Sequence, residues 1–515
     1  VAPRSIVKSP GIPEFLVFVD EELKHTVRSH TERLGFDVYR VDFSAWKLRL
    51  SDYTPVIVVS EADLRQPVLD LGQSISDVMR ICHTVNSERT LIVLVQGDGA
   101  VLRGYFQTSF YQVAIIDRID QQRVMDSRTK GVELLRCLSR QFSLSALSPY
   151  ETSKPVTGSR FFGRESTVHR ILTDAEANYA VMGIRRIGKT SLLREVERRW
   201  IDRLPAGSDA GTTQRVIYMD LSAIKSSNEF MREVVRKLQP RELARVGHRR
   251  FPLYFPDFLK RMSHQYHGPI FFLLDEFDSL LANHSLDTQL LDVLRASSNS
   301  GYARFIVAGF RDLLRASTDL DSPVFNFAKP LRLKEFTRSE TATLIIDPMR
   351  NLGIQFRQRN EVVDRIFEET AGQPNLVQYY CATIIQQLDE TNRREVSPDS
   401  LFSVHENEDL RAFILNTFWD NTNHLEKAIV FGVISSYFPK ERQFDLEAID
   451  QALVERGVHA PLIDLEEACR NLVLAGTFAQ TGRHYHFATP LFPKLLDETH
   501  NINFLFRKIL QEGIW

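Results

Sequence analysis

Residues 183–191, Gly-Ile-Arg-Arg-Ile-Gly-Lys-Thr-Ser, spell a phosphate-binding loop, and no other stretch constrains the fold as tightly. Gly183 and Gly188 bracket a turn in which the backbone N–H groups of Ile184, Arg185, Arg186 and Ile187 can point inward at phosphate oxygens. Lys189 brings a mobile positive charge for the β- and γ-phosphates, and Thr190 a hydroxyl for Mg²⁺. The flanks agree. Ala180-Val181-Met182 reads as a strand end, and Ser191-Leu192-Leu193-Arg194-Glu195-Val196 opens a helix whose positive pole faces the phosphates. The pattern predicts a bound nucleoside triphosphate.

A partner for that loop lies 86 residues beyond Lys189, where the apolar run Ile270–Leu274 ends in Asp275-Glu276. Asp275 is expected in the Mg²⁺ shell and Glu276 as the group that orients and polarises an attacking water. A further strand, Arg304–Ala308, ends in Gly309-Phe310-Arg311. Arg311 reads either as a contact to the γ-phosphate or the acidic pair, or as a surface arginine on a loop. Asp278 reads as a helix-cap or surface residue rather than a metal ligand.

A chain of 515 residues is too long for one core and implies three or four domains. A net charge of −2 exerts no global pull toward nucleic acid or an anionic membrane. Cys82, Cys137, Cys381 and Cys469 lie too far apart for metal-type pairing and are expected as buried thiols in a reducing cytosol. The apolar runs are strand-sized, no signal-peptide pattern is read, and a cytoplasmic location without membrane contact is expected.

Five short apolar runs, Phe15–Val19, Val38–Val41, Val56–Val59, Leu91–Val95 and Val113–Ile116, alternate with helix candidates 22–34, 69–83 and 122–141. This predicts a doubly wound parallel sheet over residues 1–145. A polar linker broken by two prolines follows over 146–158. Strands at 179–182, 215–221, 269–274, 304–308 and 331–333 place a P-loop α/β core over 159–335. A helical lid is expected over 336–400, opened by the capping box Thr337-x-x-Glu340 and interrupted at Ala371-Gly372-Gln373-Pro374. Over 401–515, helix candidates 424–434, 445–456 and 464–475 precede a hairpin, Thr477–Gln480 and His484–Ala488, in winged-helix order.

Taken in order, these motifs resemble the STAND class of P-loop ATPases, in its prokaryotic branch close to AAA+ proteins. The resemblance covers roughly 160–500. It rests on Phe162-Gly163-Arg164-Glu165 ahead of the loop, the Arg-rich loop 183–193, Leu274-Asp275-Glu276-Phe277-Asp278, Gly309-Phe310-Arg311, Gly372-Gln373-Pro374 and the winged-helix tail. It implies a switch: closed with ADP, opened by exchange for ATP, then assembling with copies of itself and acting on a protein partner, in defence or regulation. It further implies Pro374 near the base and Arg311 sensing the γ-phosphate; His486 reads first as a core or surface histidine and second as one that reaches the phosphates from a closed winged helix. Residues 1–145 would be the effector or sensor. Phe15–Glu22 resembles a receiver's first strand and acidic cluster, but Val56–Val59 ends in Ser60 where a phosphoacceptor Asp belongs. Val58–Leu64 is similar to a TIR segment, yet 69–83 offers Asp70 and Asp77 and no Glu. A non-catalytic interaction module is the expectation.

The same core and tail also resemble AAA+ ATPases of origin-recognition or transposition type, which bind DNA. Charge argues against that alternative. Residues 402–515 hold ten Lys/Arg against sixteen Asp/Glu, and the candidate recognition helix starts with Asp464, Glu466 and Glu467. Carboxylates at the end that should enter a groove repel phosphates.

Overall fold

The structure, a computed structural model, describes residues 13–23, 27–29, 36–50, 54–83, 90–107, 112–174, 176–203, 215–246, 251–281, 288–318, 322, 324, 326–438, 443–499 and 501–512. Its first sheet holds β1 (Val27–Ser29), β2 (Asp37–Val41), β3 (Thr54–Val59), β4 (Thr90–Val95) and β5 (Gln112–Ile116), side by side in chain order. β3 and β4 are buried along their whole length, which is why they read as unbroken apolar runs. Alternate residues serve opposite faces. Ile57, Val59, Val93 and Val95 pack against the helix Val68–His83 through Leu71, Ile75 and Met79. Val56, Val58, Ile92 and Leu94 face the other way, into a cluster shared with Phe15 and Leu16.

Two expectations for this region fail. Only β3, β4 and β5 are parallel; β2 runs antiparallel to both β1 and β3, so the sheet is mixed rather than doubly wound and parallel. The run Phe15–Val19 is not a strand but part of helix α1 (Glu14–Glu21). Phe15, Leu16, Phe18 and Val19 are its buried residues, a spacing that suits one helical face, and over five residues that pattern is indistinguishable from a buried strand. The receiver-like first strand therefore does not exist, and Asp20 instead accepts the Val27 N–H at 2.9 Å. Within the helix candidate 22–34 lies β1; residues 24–26 and 30–35 fall outside the described set.

The segment expected as a linker is packed. Tyr150 is buried, and its hydroxyl donates into the Leu344 and Ile345 carbonyls at 3.0 and 3.1 Å. Just before it, Asp389 accepts the Leu144 and Ser145 N–H groups, both at 2.7 Å. Asn351 donates to the Trp46 carbonyl at 2.7 Å. One continuous apolar cluster joins this face of the first sheet to the helices beyond residue 336.

The second sheet contains β6 (Tyr179–Met182), β7 (Val216–Asp220), β8 (Ile270–Asp275), β9 (Ala303–Gly309) and β10 (Lys329–Arg332), where strands were expected. Its order is β10-β6-β9-β8-β7, all parallel. Helix α2 (Lys189–Asp202) follows β6, and α3 (Arg311–Thr318) follows β9. Because β6, β9 and β8 are neighbours, the residues after their carboxyl ends share one crevice, where open α/β sheets hold ligands.

Beyond the sheet, Thr337 and Glu340 form the expected capping box, and α4 (Pro374–Glu390) starts with proline in its first turn. Ala371 and Gly372 make the corner before it in left-handed conformations, φ 48° and 67°. Helix α5 (Glu408–Asn421) leads into α6 (His424–Tyr437), whose start is a second capping box, Asn423 with Glu426. The helix Leu446–Val454, then α7 (Leu462–Leu474), then the antiparallel hairpin Phe478–Thr481 with His484–Phe487 complete the expected order. Two unanticipated helices, Leu491–Thr499 and Ile502–Glu512, follow. Cys137, Cys381 and Cys469 are buried thiols. No helix among the described residues is long and apolar enough to cross a membrane.

At Gly372 both space and conformation exclude a side chain, since a Cβ would overlap the Phe336 carbonyl oxygen. Gly353, φ 74°, has open space around the same position. Gly353→Ala should cost only the left-handed penalty of about 1–2 kcal/mol, and Gly372→Ala clearly more, as read by urea unfolding of the two variants side by side.

Candidate nucleotide site

The loop after β6 turns through Arg186 (φ 67°) and Gly188 (φ 101°) and is tied to β9 by the Gly183 N–H on the Gly309 carbonyl, 3.2 Å. Ile184 and Ile187 are buried in the core and anchor the loop, and the Ile187 N–H donates to the Ile184 carbonyl at 3.4 Å. Lys189, the first residue of α2, is 6% exposed and donates to the Gly183 and Ile184 carbonyls at 2.8 and 3.0 Å. Burial lowers its pKa, while Glu276, Asp275 and Asp278 act in the opposite direction. Its hydrogen-bond acceptors are both neutral, so an arriving anion would gain a desolvated cation.

Thr190 donates to Asp275 Oδ2 at 2.6 Å, and Tyr218 donates to the same oxygen at 3.0 Å. The Glu276 N–H closes onto Asp275 Oδ1 at 3.0 Å. Burial, then the Asp275 carboxylate, pushes the Tyr218 phenol well up, so it remains a donor. Glu276 sits at φ 52°, and burial raises its carboxyl above the ordinary range against the pull of Lys189. A raised pKa makes a carboxylate a better proton acceptor near neutrality.

Lys189, Thr190, Ser191, Gly188, Arg185, Arg186 and Glu276 line one end of a cavity of about 620 Å³. Phe336, Leu344, Pro374 and Tyr379 line it further along, so Pro374 does share the pocket with the loop. A third wall is the strap 151–156, held by the Val156 N–H on Ser191 Oγ at 3.1 Å and the Glu151 N–H on Gln378 Oε1 at 3.1 Å. Arg49 pairs with Glu151 at 3.2 Å, which ties the strap to the first sheet's domain. The volume and the mixture of apolar walls with convergent polar groups suit a small-molecule ligand. The donor set fits a phosphate chain with Mg²⁺: a buried ammonium, and a hydroxyl beside an oriented carboxylate.

Arg186 leaves the loop for α5. It donates to Thr417 Oγ1 at 2.8 Å and lies 4.8 Å over the Phe413 ring, which stacks on Tyr379 at 4.3 Å. Arg311 does not line the cavity. Its guanidinium forms a two-pronged pair with Glu426 of α6, at 2.9 and 2.6 Å, and Glu426 has no exposed surface. His486 does not line the cavity either, and its buried Nδ1 has no hydrogen-bond partner. Asp278 is a cap: it accepts the Phe310 and Leu313 N–H groups and so fixes the start of α3. Sequence reasoning missed Tyr218, the strap and Glu426. Asn423-x-x-Glu426 was legible as a capping box, but nothing local marks its carboxylate as a partner for Arg311.

Residues 173–316 match the AAA domain family. No curated protein matches the sequence. Among solved structures, the Walker-type ATPase of Pyrococcus abyssi superposes with a TM-score of 0.50 at 17% identity, over 68% of this chain and 99% of that one. The ORC2 protein of Aeropyrum pernix, in ADPNP–ADP complexes, gives 0.49 at 14% identity, over 68% and 95%. The Aeropyrum pernix ORC1 protein in complex with DNA gives 0.39 at 16%, again over 68% and 95%. At 17% identity the likeness to the Pyrococcus abyssi ATPase is one of fold. Residues 173–316 form an AAA-type P-loop ATPase domain.

Lys189→Ala should weaken binding of a fluorescent ATP analogue by about 10- to 100-fold, the loss expected for a charge-assisted hydrogen bond, with little change in melting temperature.

Proposed function

We propose that this chain is a nucleotide-dependent switch that binds and slowly hydrolyses ATP, and that its C-terminal unit, a winged helix, reads the state of the site. The observation that carries this reading is the Arg311–Glu426 pair. Glu426 is fully buried, and its Oε2 also accepts the Asn423 N–H at 3.0 Å. Removing one member of a buried ion pair typically costs about 3–5 kcal/mol. Arg311 can therefore turn toward a γ-phosphate only if α6 moves with it or Glu426 finds another partner. A nucleotide biases two states only through differential affinity, and competition for Arg311 supplies one between ATP and ADP. Arg186 adds a second tether from the phosphate loop to α5, next to the same corner.

In this reading Gly183–Ser191 cradle the phosphates, Lys189 neutralises charge, and Thr190 with Asp275 holds Mg²⁺. The metal, when bound, offsets negative charge on the phosphate oxygens. Glu276 orients the attacking water and takes up its proton. Pro374 borders the base. Opened subunits would assemble with copies of themselves, and residues 1–145 would engage a protein partner. The DNA-loading alternative remains disfavoured. Glu467 of α7 pairs with Arg315 of the ATPase domain, so this acidic helix already has an intramolecular neighbour.

Glu426→Gln keeps the capping box but weakens the hold on Arg311. It should raise ATP affinity at least about fivefold relative to ADP, the low end of typical coupling energies. Equal changes for both nucleotides, measured by calorimetry, would sink the switch. Glu276→Gln should retain ATP binding and lose turnover in a phosphate-release assay. A random duplex titrated against that variant across a salt series tests the alternative, which predicts tight, ATP-dependent and steeply salt-sensitive binding.

A further inference from the structure

The carboxylate expected to hold the metal shell accepts from a residue on the edge strand, with β9 and β8 lying between that strand and β6. Tyr218 lies on β7, and Asp275 ends the neighbouring β8, with Tyr218 in register with Leu273. The Tyr218 ring is pressed between the sheet and α2, where the Arg194 guanidinium lies 3.4 Å over it. Arg194 is itself held by Glu197 at 3.0 Å. The ring is thus covered on one face, and its hydroxyl donates to Asp275 Oδ2 at 3.0 Å.

Counting acceptor sites shows what that hydroxyl does. A carboxylate offers about four lone-pair directions. In Asp275, two on Oδ2 take Thr190 and Tyr218, and one on Oδ1 takes the Glu276 N–H. The remaining direction belongs to Oδ1. With the other three filled, the carboxylate has one orientation and one free acceptor.

We propose that Tyr218 is a positioning residue of the magnesium site, locking the Asp275 carboxylate so that its remaining acceptor meets a metal-bound water. This rests on the reading of Asp275 and Thr190 as the metal-holding pair. Thr190 is the second residue of α2, and its hydroxyl is the one expected to turn to the metal. Tyr218 sits on the sheet and keeps the carboxylate aligned while that happens. Outer-sphere partners of this kind are typically worth 10–100-fold in metal affinity.

The test uses the full chain and N-methylanthraniloyl-ADP, titrated without metal and then across a Mg²⁺ series, for wild type, Tyr218→Phe and Arg194→Ala. Tyr218→Phe should bind the nucleotide normally without metal and need about 10-fold more Mg²⁺ for the metal-linked gain. Arg194→Ala, which uncovers the ring but keeps the hydroxyl, should raise the Mg²⁺ requirement clearly less than Tyr218→Phe does. A Mg²⁺ requirement in Tyr218→Phe equal to wild type overturns the proposal alone. So does an equal rise in Tyr218→Phe and Arg194→Ala with matching losses of melting temperature, since that marks packing only. If wild type shows no metal-linked gain, the metal-site reading falls and the proposal with it.

Discussion

Three parallel strands ending side by side set the terms for this molecule. β6, β9 and β8 are immediate neighbours, so the phosphate loop, the start of α3 and the acidic pair emerge along one edge. Hydrogen bonds across that edge then hold them to each other: Gly183 to Gly309, Thr190 to Asp275, and Asp278 to the N–H groups opening α3. Had any one strand been inserted elsewhere, residues nearly a hundred positions apart would not share a carboxylate. The helices after residue 336 contribute a wall and a partner for Arg311, but they build on an edge already assembled.

The domain carrying the first sheet is joined to this arrangement more firmly than its polar connecting segment suggests. Tyr150 is anchored on the Leu344 and Ile345 carbonyls, Glu151 is shared between Arg49 and Gln378, and Val156 is pinned to the first turn of α2. The connection therefore transmits position. A displacement of α2 or α4 reaches Arg49 through a few direct contacts, with no flexible tether to absorb it.

What was legible in the sequence follows from range. The loop 183–191 and the pair Asp275-Glu276 are local patterns with a local mechanism; residues 185–191 and Glu276 line the cavity, and Asp275 is bonded to Thr190 beside it. The strands of the second sheet announce themselves because parallel strands buried on both faces leave continuous apolar runs. Phe15–Val19 misled for the same reason: five residues of apolar chain carry no period that separates helix from strand. Asp278 was readable as a cap from its residue type, but the helix it caps was not: its bonds to the start of α3 span 32 and 35 residues of sequence. Arg311 was read as a contact to the γ-phosphate or the acidic pair, or as a surface residue, and its guanidinium holds Glu426. Its partner lies 115 residues away in sequence, and no local pattern announces a contact of that range.

Glu426 serves two structures at once. Its carboxylate closes the capping box that begins α6 and also holds Arg311. Most substitutions at this position therefore unsettle a helix start together with a long-range lock, and selection sees both effects in a single change. Glutamine is the exception, since it can still close the box without carrying the charge. Heritable tuning of the lock is thus confined to a very narrow path at Glu426 itself, and wider variation must come from the residues around Arg311, where the helix has nothing at stake.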